Sequence, residues 1–158
     1  MEIAELTEED LDSYLELFSE DESAKQTMER AGFKLEKEAF KNRLSSFPTW
    51  IKVFVLRSDR VEGAVCIAGA ENLNLPDSAL IVDLRIRKES RKRGYGSMLL
   101  ETALEYARKK GVKRVVTIVS EMNVAGIKLF HKFGFKPYSI LQDYYVLGEN
   151  AVAMEKVF

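Results

Sequence analysis

The chain contains 158 residues, of which 46% are hydrophobic and 31% are charged, and its formal net charge is −1. This size and composition predict one globular domain over residues 1–158. No apolar run approaches the roughly 18 residues of a membrane-spanning helix. The start of the chain lacks a signal-peptide pattern, which favours a cytoplasmic protein. The net charge argues against a protein that coats nucleic acid. The single cysteine, Cys66, excludes a disulfide framework and a cysteine zinc cluster, and no metal site is predicted.

The first third of the chain is predicted to hold one short strand and three helices. A strand is expected at 2–5. Thr7 is a candidate N-cap for a first helix, whose apolar residues recur at helical spacing at Leu11, Tyr14, Leu15 and Phe18. Two more helices are expected at 24–30 and 35–46. Residues 1–22 carry ten acids and no Lys or Arg, which is typical of a solvated helix face.

The remaining elements alternate between strands and helices. They are expected as strands at 50–57, 61–70 and 79–87, a helix at 94–110, a strand at 112–120, a helix at 123–133, and strands at 135–146 and 151–157. The strand expected at 79–87, the fourth in the chain, alternates between two faces. One face carries Leu80, Val82, Leu84 and Ile86, and the other carries Ile81, Asp83, Arg85 and Arg87. This order predicts a mixed α/β fold with a strand–helix–strand crossover at 79–120.

A basic run leads directly into a glycine turn. Residues 85–93 contain six basic residues and one acid, and the sequence Gly94-Tyr95-Gly96 follows. The first N–H groups of a helix have no intrahelical acceptor, and glycines let an anion approach them closely. The residues expected at this anion site are Arg91, Lys92, Arg93, Gly94, Tyr95, Gly96 and Ser97. An exposed basic loop without a ligand is the alternative.

Two motifs resemble those of a known family. Leu84-Arg85-Ile86 followed by Arg91-x-x-Gly94-x-Gly96 closely resembles the acetyl-CoA signature of the GNAT superfamily of N-acetyltransferases. The stretch from Asn123 to Gly134-Phe135 resembles that family's last helix and the strand after it. Tyr144-Tyr145 resembles the hairpin of the protein N-terminal (ribosomal-protein alanine type) acetyltransferase branch. The resemblance implies a mixed, largely antiparallel sheet of about six to seven strands with about four to five flanking helices.

The resemblance also implies roles for individual residues. The glycine turn would bind the pyrophosphate of acetyl-CoA, and the pantetheine arm would lie along the fourth strand at Leu84. The Ile86 backbone would polarise the thioester carbonyl. Asn123 would hydrogen-bond the cofactor arm, which Phe130 would also contact. The acetyl group would pass directly to a primary amine.

The sequence departs from the family at two positions. Phe130 occupies the place of a tyrosine that protonates the leaving thiolate, and Ile118 occupies the place of a base. Asp83 could accept the amine proton through water, or it could pair with Arg85 instead. Tyr144 or Tyr145 could supply the missing acid, and the sequence does not determine which of the two points inward.

The amine substrate is left open by the sequence. The paired tyrosines favour a peptide or protein N-terminus, whereas the acidic first helix could attract a small cationic amine such as a polyamine. A non-catalytic module that binds CoA is the alternative from a different functional class. No nucleic acid or membrane partner is expected, and a homodimer is left open.

Overall fold

The computed structural model describes residues 1–19, 21–145 and 148–158. The strands in this part of the chain are β1 Glu2–Glu5, β2 Ile51–Arg57, β3 Val61–Gly69, β4 Ser78–Ile86, β5 Arg114–Ser120, β6 Lys136–Leu141 and β7 Ala151–Val157. The α-helices are α1 Leu11–Glu16, α2 Glu22–Arg30, α3 Lys37–Ser45, α4 Tyr95–Lys109 and α5 Val124–Lys132. The order of the elements confirms the predicted mixed α/β class.

One sheet organises the molecule. Within the described residues it contains seven strands in the order β1-β2-β3-β4-β5-β7-β6. β4 and β5 are parallel, and the other neighbouring strands are antiparallel. α4 connects β4 to β5, which confirms the predicted crossover. In the part of the chain that the structure describes, no helix is long and apolar enough to cross a bilayer.

Each face of the sheet carries its own hydrophobic core. Val65 and Ile67 of β3 pack on one face against α4, whose apolar residues recur at helical spacing and are buried at Leu99, Leu100, Ala103, Leu104 and Ala107. Ala64, Cys66 and Ala68 alternate onto the other face, where they pack against apolar residues of α1, α2 and α3. Cys66 is therefore a core residue, and burial raises the pKa of its thiol.

A bulge in β4 overturns the predicted alternation along that strand. Cys66 lies opposite Asp83, and Ile67 lies opposite Ile81, so Val82 is an extra residue in the pairing of β3 with β4. Ile81 therefore shares the α4 face with Leu84 and Ile86, whereas Val82 belongs to the opposite core. The bulge brings Asp83 and Arg85 onto the side of the sheet that α1 and α2 cover.

The two parallel strands diverge after a short paired section. β4 and β5 pair only over residues 78–81 and 114–117. Beyond this section β4 continues to Ile86 and β5 to Ser120 without pairing to each other. The divergence opens a cleft at the carboxyl ends of both strands, which is a common place for ligands in α/β proteins.

The strand predicted at 135–146 is shorter in the structure. β6 ends at Leu141, and Asp143 takes a positive φ of 50°, which interrupts an extended strand. The Tyr145 N–H then donates to the Glu149 carbonyl at 3.1 Å and closes a turn before β7. The last predicted position, 146, lies outside the described residues.

Candidate active site

A cavity of about 800 Å³ occupies the cleft between the diverging ends of β4 and β5. Its walls come from α2, β4, the basic loop, the first turn of α4, β5, α5 and the turn before β7. The predicted site residues that line it are Asp83, Leu84, Ile86, Arg91, Lys92, Gly94, Tyr95, Gly96, Ser97, Asn123, Phe130 and Tyr145. Arg93 and Tyr144, which are both described, do not belong to this lining.

The free edge of β4 presents the backbone of Leu84 and Ile86 to the cleft. The Arg87 N–H donates to the Glu62 carbonyl of β3 at 2.7 Å. Successive residues of an antiparallel strand direct their backbone groups to alternate sides, so those of Leu84 and Ile86 point away from β3. The Ile86 carbonyl accepts a hydrogen bond from Arg91 Nε at 3.1 Å, which agrees with this direction. An extended ligand can therefore pair with this edge.

The start of α4 has the form of an anion site. Gly94 is the N-cap residue with a φ of 81°, and the first intrahelical bond runs from the Met98 N–H to the Gly94 carbonyl at 3.2 Å. The N–H groups of Tyr95, Gly96 and Ser97 precede that bond and lack an intrahelical acceptor. A Cβ added at Gly94 would meet nothing within 4 Å, so the space in front of this turn is open.

Gly96 also lies against a neighbouring helix. A Cβ at Gly96 would lie 3.2 Å from Leu129 Cδ2 of α5, so the glycine allows α5 to pack against the start of α4. The sequence predicted that both glycines admit an anion. The structure shows open space at Gly94 and a crowded helix contact at Gly96.

The basic run divides into structural and cavity-lining residues. Arg87 is half-buried and donates to the Val61 carbonyl at 2.8 Å, and it also contacts Ser13 and Glu16. Arg91 and Lys92 line the cavity. The loop that carries Arg91 and Lys92 is anchored to β3, because the buried Ser90 hydroxyl donates a hydrogen bond to the carboxylate of Glu62.

Asn123 and Phe130 both have structural roles on α5. Asn123 caps the helix, and its Oδ1 accepts a hydrogen bond from the Gly126 N–H at 2.9 Å. Phe130 is 5% exposed and packs edge to face on Phe135, with ring centroids 5.1 Å apart. Its ring lines the cavity but offers no proton, as the sequence indicated.

Asp83 belongs to a buried ion-pair network. Arg85 Nη2 lies 3.2 Å from Asp83 Oδ1, and Arg85 Nη1 lies 2.7 Å from Asp21 Oδ2. The Asp83 side chain is 9% exposed, and burial raises the pKa of its carboxyl although Arg85 opposes this shift. Burial would also raise the pKa of Asp21, but the Ala24 N–H and Arg85 outweigh it and hold that pKa below its ordinary value. Of the two sequence alternatives for Asp83, the ion pair with Arg85 is present.

The two tyrosines face different surroundings. Tyr145 is 6% exposed and lines the cavity, and burial raises the pKa of its phenol although a hydrogen bond with Thr27 opposes this shift. The Arg30 guanidinium lies 3.9 Å from the centre of the Tyr144 ring and donates to the Tyr144 carbonyl. The tyrosine that points into the cavity is therefore Tyr145.

Sequence reasoning assigned no role to several residues of the cavity. Glu149 and Ser120 line it, and the Ser120 hydroxyl donates to Glu149 Oε2 at 2.9 Å. Asp21, the N-cap residue of α2, and Thr27 of the same helix also line the cavity. The available signal for Glu149 was its position between the paired tyrosines and the last predicted strand. In the described residues, no group of three or more His, Cys, Asp or Glu side chains is arranged to hold a metal ion.

The acidic N-terminal stretch is largely neutralised within the protein. Its carboxylates form ion pairs that join Glu2 and Asp10 to Arg57, Glu5 to Lys52, Glu8 to Lys41, Asp12 to Lys37, Glu16 to Arg87 and Asp21 to Arg85. These pairs hold the N-terminal segment against the sheet and α3. Most of the acids that the structure describes in this stretch therefore already have a basic partner, which weakens the argument that the stretch attracts a cationic substrate.

The fold and the cleft define a class of protein. The sheet has diverging parallel strands, a free strand edge and a helix that begins at a glycine. These features are typical of an α/β protein that binds an extended ligand with an anionic end. Residues 3–135 match the acetyltransferase (GNAT) family, and the chain belongs to that family.

Similar proteins agree with this membership. The chain is 30% identical over 81 residues to a ribosomal protein bS18-alanine N-acetyltransferase of Salmonella typhimurium, a match that covers 49% of this chain and 55% of the relative. The chain spans about half or less of the curated relatives it matches, between 33% and 55% of their lengths.

Solved structures share the fold. A ribosomal-protein-alanine N-acetyltransferase from Brucella melitensis superposes with a TM-score of 0.79 at 21% identity and 100% coverage of both chains. A PaiA N-acetyltransferase from Thermoplasma acidophilum in complex with coenzyme A superposes with a TM-score of 0.73 at 24% identity, covering 99% of this chain and 98% of the other.

Proposed function

We propose that the protein is an acetyl-CoA-dependent N-acetyltransferase that transfers an acetyl group directly to a primary amine. The observation that carries this proposal is the free edge of β4, which leads from the cavity to the unbonded N–H groups at the start of α4. The cavity also has the open space at Gly94 that a phosphate requires. Acetyl-CoA supplies the activated acetyl thioester, and the protein binds and orients the two substrates.

The donor end of the cleft would hold acetyl-CoA through backbone groups. The N–H groups of Tyr95, Gly96 and Ser97 would bind the pyrophosphate, with Arg91 and Lys92 adding positive charge. Leu84 and Ile86 would pair with the extended pantetheine arm, and the Ile86 N–H would polarise the thioester carbonyl. Asn123 already uses Oδ1 as a cap, so its Nδ2 would be the group that contacts the arm.

The acceptor end would provide proton transfer. Asp83 lines the cavity and would accept the amine proton through a water molecule, with Arg85 fixing its orientation. Tyr145, which lines the cavity, would protonate the leaving thiolate, because Phe130 has no hydroxyl group that could do so. Its raised pKa keeps the phenol protonated at neutral pH, which suits a proton donor. Tyr144, which does not line the cavity, would support Tyr145 by packing against it, with ring centroids 5.0 Å apart.

The substrate class that we favour is a peptide or protein N-terminus. This choice is supported by the name of the curated relative from Salmonella typhimurium, a ribosomal protein bS18-alanine N-acetyltransferase. A small amine is the second candidate, although the ion pairs of the N-terminal acids weaken the argument for a polyamine.

An acetyl-transfer screen tests the activity. The protein is incubated with acetyl-CoA and either alanine-initiated peptides or small primary amines, and the free thiol of CoA is followed. Thermal unfolding tests the binding step separately, because acetyl-CoA at about 100 times its dissociation constant stabilises a protein by about 2.7 kcal/mol. Release of CoA with a peptide supports the proposal, and the absence of any shift in melting temperature contradicts it.

A non-catalytic CoA-binding module is favoured by one specific observation. Phe130 and Ile118 line the cavity, and neither side chain can donate or accept a proton. A melting-temperature shift with acetyl-CoA, combined with no thiol release from any amine, would support this second function.

Three broader expectations accompany the proposal. Residues 1–158 would act as one domain, since both hydrophobic cores pack on the same sheet. A cytoplasmic location and a homodimer stay predictions, which fractionation and light scattering would test.

A further inference from the structure

The acids at the acceptor end of the cavity differ in their partners. Asp21 and Asp83 share the guanidinium of Arg85, at 2.7 and 3.2 Å. Glu149 also lines the cavity, and among the residues that the structure describes no cation lies within ion-pair distance of it. The negative charge of Glu149 is therefore left without a countercharge inside a cavity, where an added cation would be attracted.

Backbone and side-chain hydrogen bonds fix the position of Glu149. The Ser120 hydroxyl donates to one oxygen of its carboxylate at 2.9 Å, and its carbonyl accepts the Tyr145 N–H at 3.1 Å. The adjacent Asn150 accepts the Glu121 N–H at its carbonyl and the Asp143 N–H at Oδ1, both at 3.0 Å. The carboxylate is therefore held in place before any substrate binds, which reduces the entropy lost on binding.

The location of Glu149 suits an acceptor amine. Ser120 is the last residue of β5, in the section where β5 has diverged from β4. Glu149 thus lies on the wall of the cleft opposite the free edge of β4. The Tyr145 N–H donates to the Glu149 carbonyl and both residues line the cavity, so Glu149 lies beside the tyrosine that reaches the acceptor end.

We infer that Glu149 binds the ammonium group of the acceptor and selects amines that are positively charged at neutral pH. This inference rests on the proposed acetyl transfer, which it deepens by naming the recognition group of the acceptor. Ser120 is a positioning residue that orients the carboxylate. Asp83, already paired with Arg85, accepts the proton later through water and does not select the charge.

The first experiment compares Glu149→Gln with a matched control, Glu121→Gln. Glu121 is an exposed acid next to Ser120 and does not line the cavity. Glu149→Gln should raise the KM of the best acceptor by about tenfold to a hundredfold, the range expected for the loss of one hydrogen bond between charged groups, while the dissociation constant of acetyl-CoA stays the same. Ser120→Ala should raise the KM by about threefold, and Glu121→Gln should leave it unchanged.

A second experiment separates the effect of the acceptor's charge from the effect of its shape. Ethylamine and trifluoroethylamine are similar in size, but only ethylamine is an ammonium ion at neutral pH. Calorimetric titration of each into the CoA-saturated protein should show tighter binding of ethylamine to the wild type and equal binding of both to Glu149→Gln. Equal binding of both amines to the wild type, or a KM for Glu149→Gln within about twofold of the wild type, would overturn the inference.

The two proposals fail separately. A wild-type protein that releases CoA, with a Glu149→Gln variant of unchanged KM, retains the acetyltransferase function and refutes the role of Glu149. A wild-type protein that transfers no acetyl group, yet binds ethylamine more tightly than Glu149→Gln does, refutes the function and retains the ammonium site. Circular dichroism of each variant verifies the fold.

Discussion

The two ends of the cleft are built in different ways. Most of the donor end comes from one continuous segment, in which β4, the basic loop and the first turn of α4 follow each other between Ser78 and Ser97. The acceptor end combines α2, the middle of β4, the end of β5 and the residues Tyr145 and Glu149. A continuous segment leaves a spacing pattern in the sequence, whereas a site assembled from distant segments leaves none.

The chemistry of the two ends differs in the same way. The donor end relies on backbone N–H groups, and its side-chain requirement is mainly that Gly94 has no Cβ. The acceptor end relies on charged and phenolic side chains, whose partners Arg85, Thr27 and Ser120 come from separate elements. Substitutions should therefore affect cofactor binding at one end and turnover or acceptor binding at the other.

The largest expected effect is at the donor end, for Gly94→Ala. The added methyl group occupies the space in front of the helix start, so acetyl-CoA should bind about a hundredfold more weakly, a loss of about 2.7 kcal/mol. Gly111→Ala is the matched control, because Gly111 at the other end of α4 has a φ of 82° and equally open space. Both variants should lose about 1 kcal/mol of stability from the positive φ. Titration of acetyl-CoA that gives the same affinity for both variants would refute the anion site.

Tyr145→Phe should produce the next largest effect, on turnover. Loss of the phenol removes the proposed proton donor, so kcat should fall by about tenfold or more with little change in the affinity for acetyl-CoA. Tyr144→Phe is its control, since it keeps the ring beside Arg30 and removes a hydroxyl outside the cavity lining. Steady-state kinetics that show the same kcat for the two variants would remove the acid role from Tyr145.

Asp83→Asn should lower kcat by about tenfold while acetyl-CoA affinity stays within about twofold. The amide keeps the shape of the side chain but accepts no proton. Asp77→Asn provides the comparison, because Asp77 is an exposed acid just before β4. A fall in kcat of only two- or threefold would assign the base role to water.

The smallest effect concerns the pH dependence of stability at the two partners of Arg85. The folded pKa of Asp83 is raised, so the stability that Asp83 contributes is present below its unfolded pKa of about 3.9 and is lost as the pH rises through the folded pKa. The folded pKa of Asp21 is lowered, so its contribution is present above about 3.9 and is lost as the pH falls through the folded pKa.

Urea unfolding between about pH 3 and about pH 7 measures this difference. The wild type should lose stability relative to Asp83→Asn as the pH rises, and it should gain stability relative to Asp21→Asn over the same range. Asn remains a good N-cap at position 21, so that variant tests the charge alone. Slopes of the same sign for both variants would contradict the assigned pKa directions.

Sequence reasoning was most successful where a local pattern fixes the structure. The helix predicted at 94–110 is present as α4, and Asn123 was correctly expected at the start of α5. The predictions from the sequence were wrong where a single residue changes the course of a strand. The extra residue at Val82 shifts the alternation of β4, and the positive φ of Asp143 ends the extended chain that was predicted to reach position 146.

The sequence by itself determined the order of elements, the mixed α/β class and the segment of the donor end, because hydrophobic periodicity and glycine spacing act over a few neighbouring residues. Only the tertiary structure decided which tyrosine lines the cavity, that Asp83 pairs with Arg85, and that Glu149 meets Ser120. These contacts join residues between 2 and 118 positions apart, counted from Asp83–Arg85 to Thr27–Tyr145. Their formation depends on the bulge in β4 and on the packing of α2 and the turn before β7 around the cleft, which no local pattern encodes.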